Sequence, residues 1–443
     1  MQNQGIRDAR SLGPPKLLVL GLQHMFAMFG ATVLVPALTG LSVSATLLFA
    51  GLGTLFFHFL TKGKVPAFLG SSFAYLAGYA AIAPNGETAL LPYACVGVAA
   101  SGLLYLILAA LVRGFGANRV MRFFPPVVTG PIIICIGMTL ANSAINNCTG
   151  SWDIALVAII TVVVFNIWGK GMLRIIPILL GVLVSYTYAA VTGRVDFSGV
   201  ASAAWIGLPV KMENTVFSLI GNCDMNLLVT AVIAIMPIAF ATMIEHIGDI
   251  CAISSTVGAN FIADPGLHRT LLGDGLATSI ASLFGAPANT TYGENTGVLA
   301  LTRVYDPLVI RLAAVYAIIA SFCPKFAALV SAMPTGTIGG VSLILYGMIS
   351  AIGVRNLVEN RVDLAKSRNV IVVSLIISLA LGITFSAAGA ITFHVGEFTL
   401  NFSGLAVAAI VGIVVNAILP GKDYNFQNDY EYGKTTEDHG QML

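Results

Sequence analysis

Apolar runs near or above the roughly 20 residues that cross a bilayer recur from one end of this 443-residue chain to the other. No other feature narrows the fold as far. Backbone inside hydrocarbon must satisfy its own N–H and C=O groups, so it is helical, or it is irregular only where protein surrounds it or it lines a cavity. Hydrophobic residues make up 57% of the chain and charged ones 9%, against roughly 25% charged in soluble domains. A soluble core has no use for that excess, so it must face lipid. The chain is therefore expected to be an all-α polytopic membrane protein. The first run, Leu17 to Leu38, is too long for a signal-peptide core and counts as a span. The six cysteines show no CxxC spacing and mostly lie in apolar runs, so they read as small hydrophobes. No metal or cofactor is expected, and a net charge of +2 gives no reason to expect nucleic acid.

Spans are placed at 17–38, 43–61, 65–83, 90–112, 124–144, 152–168, 173–192, 226–252, 270–286, 287–302, 306–330, 334–353, 369–388 and 402–420, about 14 in all. On this map only Arg194, Lys211 and Lys325 fall on one side, and every other Lys and Arg falls on the other. That asymmetry follows the positive-inside rule and puts both termini in the cytoplasm of a cell whose inner membrane holds the protein. Weak self-similarity runs across the midpoint. "GPIIICIGMTLA" (130–141) matches "GVSLILYGMISA" (340–351), "PAFLGSSFAY" (66–75) matches "PANTTYGENT" (287–296), and "QH" at 23–24 faces "EH" at 245–246. An odd number of spans per copy makes the second copy inverted. The expected architecture is two inverted seven-segment repeats, 1–194 and 226–420, with an external connector at 195–225 and a cytoplasmic tail at 421–443. Secondary transporters recurrently use such repeats, with the binding site at the midplane between them.

Two spans are broken. "VPAFLGSS" before "FAYLAGYAAIA" is poor helix material, and "PANTTYG" before "ENTGVLAL" repeats the pattern. As pure helix, Pro287 to Arg303 covers about 24 Å, short of the roughly 30 Å core. A few extended residues ahead of a short helix bring it to about 33 Å. Segments 3 and 10 are therefore expected to be strand-then-helix, with the short strands pairing antiparallel. Their half-helices would start near the midplane, presenting unpaired N–H groups and the positive end of a dipole.

Ionisable side chains at such depth are costly and point to function. In "MIEHIGD" (243–249), Glu245 and Asp249 are four residues apart and share a helix face, with His246 rotated away. Glu294, beside Asn295, opens the tenth-span half-helix. Burial disfavours the charged form of a carboxyl. Glu245, Glu294 and Asp249, with His24, are thus the candidates to take up a proton outside and release it inside. Arg303 reads as an anchor at a helix C-terminus. Ser342 and Tyr346 lie one turn apart, where packing and substrate contact are both open.

These residues resemble a known family. "ENTGVLALTR" (294–303) fits the signature of the nucleobase–ascorbate transporters: acid or Gln, Asn, any residue, Gly, four residues, Thr, then Arg, Lys or Gly. With "QHMFAMFGATVLVP" (23–36), "GSSFAY" (70–75), "DPGLHR" (264–269), "NTTYGEN" (289–295) and "GGVSLILYG" (339–347), the chain is similar to the bacterial uracil-permease branch. The resemblance implies 14 spans, spans 1–4 and 8–11 forming a core domain and spans 5–7 and 12–14 a gate domain, in a homodimer. It implies a base held by Glu245 and Glu294, with backbone amides at Phe73 and Gly293. It further implies that Ser72, Tyr292, Ser342 and Tyr346 line the pocket and that Asn295 is structural. Some relatives carry a His where this chain has Asp249, which puts the proton's route in question.

The implied activity is proton-coupled uptake of uracil by alternating access. Uracil offers two N–H donors and two carbonyl acceptors on a flat ring, which carboxylates and half-helix amides complement. Xanthine, uric acid or another purine offers similar edges on a larger ring and stays an alternative. An intramembrane enzyme is disfavoured, since no HExxH occurs and "LLGDGLA" (271–277) lacks the preceding glycine of aspartyl intramembrane proteases. A channel is disfavoured because no filter-like carbonyl repeat is present.

Overall fold

A computed structural model describes residues 5–395 and 398–422. The tail from residue 423 onward lies outside the described residues. The chain begins with α1 (Pro14–Thr39), α2 (Val43–Leu60), the strand β1 (Leu69–Ser71) and α3 (Leu76–Ile82). Next come α4 (Leu91–Phe115), the short α5 (Ala117–Met121), α6 (Pro126–Cys148) and α7 (Trp152–Trp168). The one-turn α8 (Met172–Ile175), α9 (Pro177–Val191) and α10 (Ser198–Ser202) lead to the midpoint. There α11 (Met225–Ile235) continues through a 3-10 turn into α12 (Ala239–Val257), and α13 (Leu267–Leu283), β2 (Asn289–Thr291) and α14 (Gly293–Thr302) follow. The remainder is α15 (Pro307–Ser321), α16 (Pro324–Ser331), α17 (Thr335–Glu359), α18 (Ser367–Thr384), β3 (Ala390–Val395), β4 (Phe398–Ser403) and α19 (Gly404–Ile418).

Among the described residues, 7 helical stretches are long and apolar enough to cross a membrane, or 8 if the bent pair α15–α16 is one span. Shorter apolar helices include α7, α9 and α19. The molecule is a mostly helical, multi-pass membrane protein. Local chemistry sets many helix ends. Ser42 caps α2 by accepting from the Ala45 N–H, and Asp306 caps α15 by accepting from Leu308. Gly40 and Gly258 end α1 and α12 in the left-handed conformation, as the Cβ-free residue does at low cost. Outside the spans Lys64 pairs with Asp264, tying the loop after α2 to the approach to α13 and holding that carboxyl below its ordinary range.

Two features depart from the sequence reading. The span expected as continuous over 306–330 breaks after Ser321, and α16 turns by 88° from α15. Pro324 supplies no N–H and sits in the first turn of α16. The freed backbone groups find partners in the connector: Gly207 N–H donates to Phe322 O (3.0 Å) and Lys325 N–H to Ala204 O (2.9 Å). The second departure is an antiparallel hairpin, β3 with β4, between α18 and α19.

Helices α4, α13, α2, α15 and α1 pack with one another, and α6, α17, α7, α9, α18 and α19 pack with one another. Helix α12 touches members of both sets, α4 and α13 on one hand and α6 and α19 on the other. The most extensive helix contact is α6 on α17, where small residues let backbones meet, as helices in lipid require when no hydrophobic drive is available. A Cβ added at Gly137 would lie 2.2 Å from Tyr346 O, and one at Gly353 would lie 2.6 Å from Gly130 O. Gly130 and Gly137 both lie in the segment 130–141, which resembles 340–351. Gly137→Val is expected to separate the pair at a cost of about 1–3 kcal/mol. It should lower the thermal unfolding midpoint of the detergent-purified protein more than Gly347→Val, whose Cβ meets nothing.

Candidate functional site

The site is built around backbone that is not helical. Strand β1 pairs with β2 antiparallel, Leu69 opposite Thr291, Gly70 opposite Thr290 and Ser71 opposite Asn289. Ser72 N–H extends the ladder to Ala288 O (3.0 Å), and Tyr292 N–H extends it to Phe68 O (2.9 Å). Two strands of three residues leave their outer edges unpaired, and flanking helices fill them. On α2, Thr54 Oγ1 accepts from Leu69 N–H (2.9 Å) and lies 3.3 Å from Leu69 O. On α13, Asp274 Oδ1 accepts from Thr291 N–H (2.9 Å), while Thr278 Oγ1 donates to Asn289 O (3.0 Å). Every strand residue is buried.

A short helix leaves each end of this ladder. One begins at Phe73 as a 3-10 turn and runs into α3; the other is α14. Ser72 and Tyr292 precede them in extended conformation, and neither start is capped by a side chain. First-turn N–H groups there keep their donor capacity.

Helix α12 crosses both starts. Thr242, Glu245 and Asp249 recur at three and four positions and so share a face. Tyr75 Oη lies 3.3 Å from Thr242 Oγ1, and Thr291 Oγ1 donates to Asp249 Oδ2 (3.3 Å). Half-buried Glu245 therefore stands between a contact to the first half-helix and a contact to the strand that leads into the second. A Cβ at Gly293 would lie 3.3 Å from Asp249 Oδ1, so the carboxyl stands against the first residue of α14, where the dipole favours an anion. The side chain of Glu294, the next residue, lies outside what the structure describes; its backbone is in the first turn of α14.

The other expected residues fall as follows. His24 and Asn295 are buried and joined: Asn295 Nδ2 lies 3.2 Å from His24 Nδ1 and donates to His24 O (3.2 Å), tying α14 to α1. Phe73 meets Tyr346 of α17 edge-on, with ring centroids 5.9 Å apart. The buried hydroxyls of Ser342 and Tyr346 reach no partner elsewhere among the described residues. Buried Ser72 begins the first half-helix. Tyr292 directs its hydroxyl to the strand pair, donating to Ser71 O (2.8 Å) and accepting from Thr32 Oγ1 (3.3 Å). Gly70 makes room for that ring, since a Cβ there would lie 2.5 Å from Tyr292 Cζ. Arg303 is the left-handed C-cap of α14.

Sequence reasoning passed over Asp274, which is fully buried. It lies inside an expected span, and that position alone should have placed it among the candidates. Besides Thr291 N–H, it stands 3.4 Å from His246 Nδ1, which itself lies 3.2 Å from Thr291 Oγ1. Thr291 thereby joins Asp249, His246 and Asp274 in one network. Asp274→Ala strips the buried Thr291 N–H of its acceptor and is expected to cost about 1–3 kcal/mol. Asp274→Asn keeps one acceptor oxygen and should melt between Asp274→Ala and the unaltered protein. Equal unfolding temperatures for all three would remove the network from the account.

Comparison with known proteins agrees with this architecture. A permease family matches residues 15–389. The uracil permease of Bacillus caldolyticus is 42% identical over 437 residues, which is 96% of each chain. That of Escherichia coli (strain K12) is 37% identical over 418 residues, covering 91% of this chain and 92% of its own. Among solved structures, the transmembrane domain of the cyanobacterium bicarbonate transporter BicA superposes with a TM-score of 0.62 at 13% identity, covering 94% of this chain and all of that one. The murine Solute Carrier 26 family member A9 anion transporter in the inward-facing state gives a TM-score of 0.62 at 11% identity, over 91% of this chain and 67% of that one. At such identities the structures speak to the fold alone. The family and relatives mark a transporter and not an enzyme: the chain belongs to the permease family.

Proposed function

We propose that this chain takes up uracil with a proton across the cytoplasmic membrane by alternating access. One observation carries the reading: the acid-bearing face of α12 lies across the starts of two short helices that leave a buried strand pair. Amides at Phe73 and Gly293 donate to the carbonyls of the ring. Glu245 and Glu294 accept from its N–H edges, with Ser72, Tyr292, Ser342 and Tyr346 as the surrounding wall. Neutral amide-rich ends facing carboxylates match a ring with alternating donors and acceptors. Such a site rejects an analogue lacking one group by large factors, because its own buried groups go unpaired. The base is assigned as uracil because the relatives that match nearly the whole chain are uracil permeases.

The architecture proposed is 14 spans in two inverted repeats, with β1 and β2 in the third and tenth. Leu69 and Asn289, which open the strands, are about 220 positions apart, and so are Thr54 and Asp274, which fill the two outer edges. The set around α4 and α13 serves as the core and the set around α6 and α17 as the gate. The Phe73–Tyr346 contact then closes the site between them. The coupled proton is carried by Glu245, Glu294, Asp249 or His24, and both termini face the cytoplasm.

The test is uptake of radiolabelled uracil in cells lacking their own permeases. Unlabelled uracil should compete, and xanthine and uric acid should not. Glu245→Gln and Glu294→Gln should each lower uptake by about tenfold to a hundredfold, the worth of a hydrogen bond to a charged group. If Glu245→Gln still accumulates uracil under an inward proton gradient, Glu245 is not the coupling site. Competition by purines as strong as that by uracil would reassign the substrate.

A further inference from the structure

A second site lies away from the strand pair, on the flank of α4. A cavity of about 510 Å³ runs along that helix and is walled by Leu104, Ile107, Leu111 and Phe115. These recur at helical spacing, so they form one stripe. The stripe is open, with Ile107 at 55% and Phe115 at 59% exposure. Phe240 and Met243 of α12 and Ile413 of α19 complete the walls. From Leu104 to Phe115 the stripe is about 16 Å long at 1.5 Å per residue, close to the ~15 Å depth of one leaflet.

Charge is confined to one end. Arg119 of α5 and Arg122, which follows it, line the cavity just past Phe115, and no carboxylate lines it. Both arginines are exposed. Among the described residues, neither is in a salt bridge, and Arg122 stacks on Phe123 at 5.2 Å. Arginines on the side of the map that carries nearly all the basic residues stand at headgroup level, where each attracts anionic lipid. An apolar trough one leaflet deep with two guanidinium forks at its mouth complements a molecule with a long aliphatic tail and an anionic phosphate head.

We infer that this groove binds one anionic phospholipid, an acyl chain lying along the α4 stripe and the phosphate bridging Arg119 and Arg122. The occupant touches α12 within five positions of Glu245 and also touches α19, so it sits where the two packed sets of helices meet.

The test uses the delipidated full-length protein in detergent, titrated with dioleoyl-phosphatidylglycerol or dioleoyl-phosphatidylcholine and read by native mass spectrometry. No uracil is present, so the result is independent of the substrate assignment. The first phosphatidylglycerol should bind about tenfold more tightly than phosphatidylcholine, from two basic contacts. The double variant Arg119→Gln, Arg122→Gln should bring the two lipids within about twofold. If it aggregates, each single variant should show part of that loss. Ile107→Trp fills the trough with both arginines intact and should weaken both lipids. Equal affinities in the unaltered protein, an undiminished preference in the arginine variants, or no effect of Ile107→Trp would each overturn the site. Displacement of phosphatidylglycerol by an equal concentration of soluble glycerol 1-phosphate would also overturn it, leaving a bare anion site in its place.

Discussion

The pairing of β1 with β2 is the constraint on which the rest of this molecule depends. Extended backbone inside a bilayer leaves polar groups that neither lipid nor the segment itself can satisfy. Each strand supplies one edge to the other, which settles half the problem. The outer edges are settled by side chains that would be costly anywhere else in a span: Thr54 on one side, Asp274 and Thr278 on the other. Helices α2 and α13 are therefore fixed against the strands by hydrogen bonds as well as by packing. The reward is two helices that begin inside the protein with uncapped first turns.

From that frame the placement of the acids follows. Asp249 is held through Thr291, the last residue of β2, and stands against the first residue of α14. Thr242, on the same face of α12, meets Tyr75 of the first half-helix. A helix fastened at both places holds Glu245 between them. Tyr292 and Gly70 show how closely backbone and side chain are fitted here, since the ring fills the space a Cβ would take.

Much of this was legible in the chain. Hydropathy marked the chain as a multi-pass membrane protein, because the bilayer imposes a minimum apolar length on each span. Pro66, Gly70 and Pro287, with the short interval to Arg303, marked the two places where helix would fail. The i, i+4 spacing of Glu245 and Asp249 put them on one face. The pairing of Asn295 with His24 was not legible, because its partners are 271 positions apart and nothing local links them. Asp274 was passed over although its place inside an expected span marked it; what no motif records is that it accepts from the Thr291 N–H. Neither the break before Pro324, in a span expected to be continuous, nor its repair by Ala204 and Gly207 was read from the sequence.

The sequence by itself determined that this is a multi-pass membrane protein and that helix gives way to extended backbone near Gly70 and Thr290, because those follow from local composition measured against a slab of fixed thickness. Only the tertiary structure decided which edges the two strands share, which side chains close the edges left over, and which helix faces meet at α12. The two strands lie about 220 positions apart and are matched by mutual fit of backbone donors and acceptors, so no single stretch of the chain contains both partners.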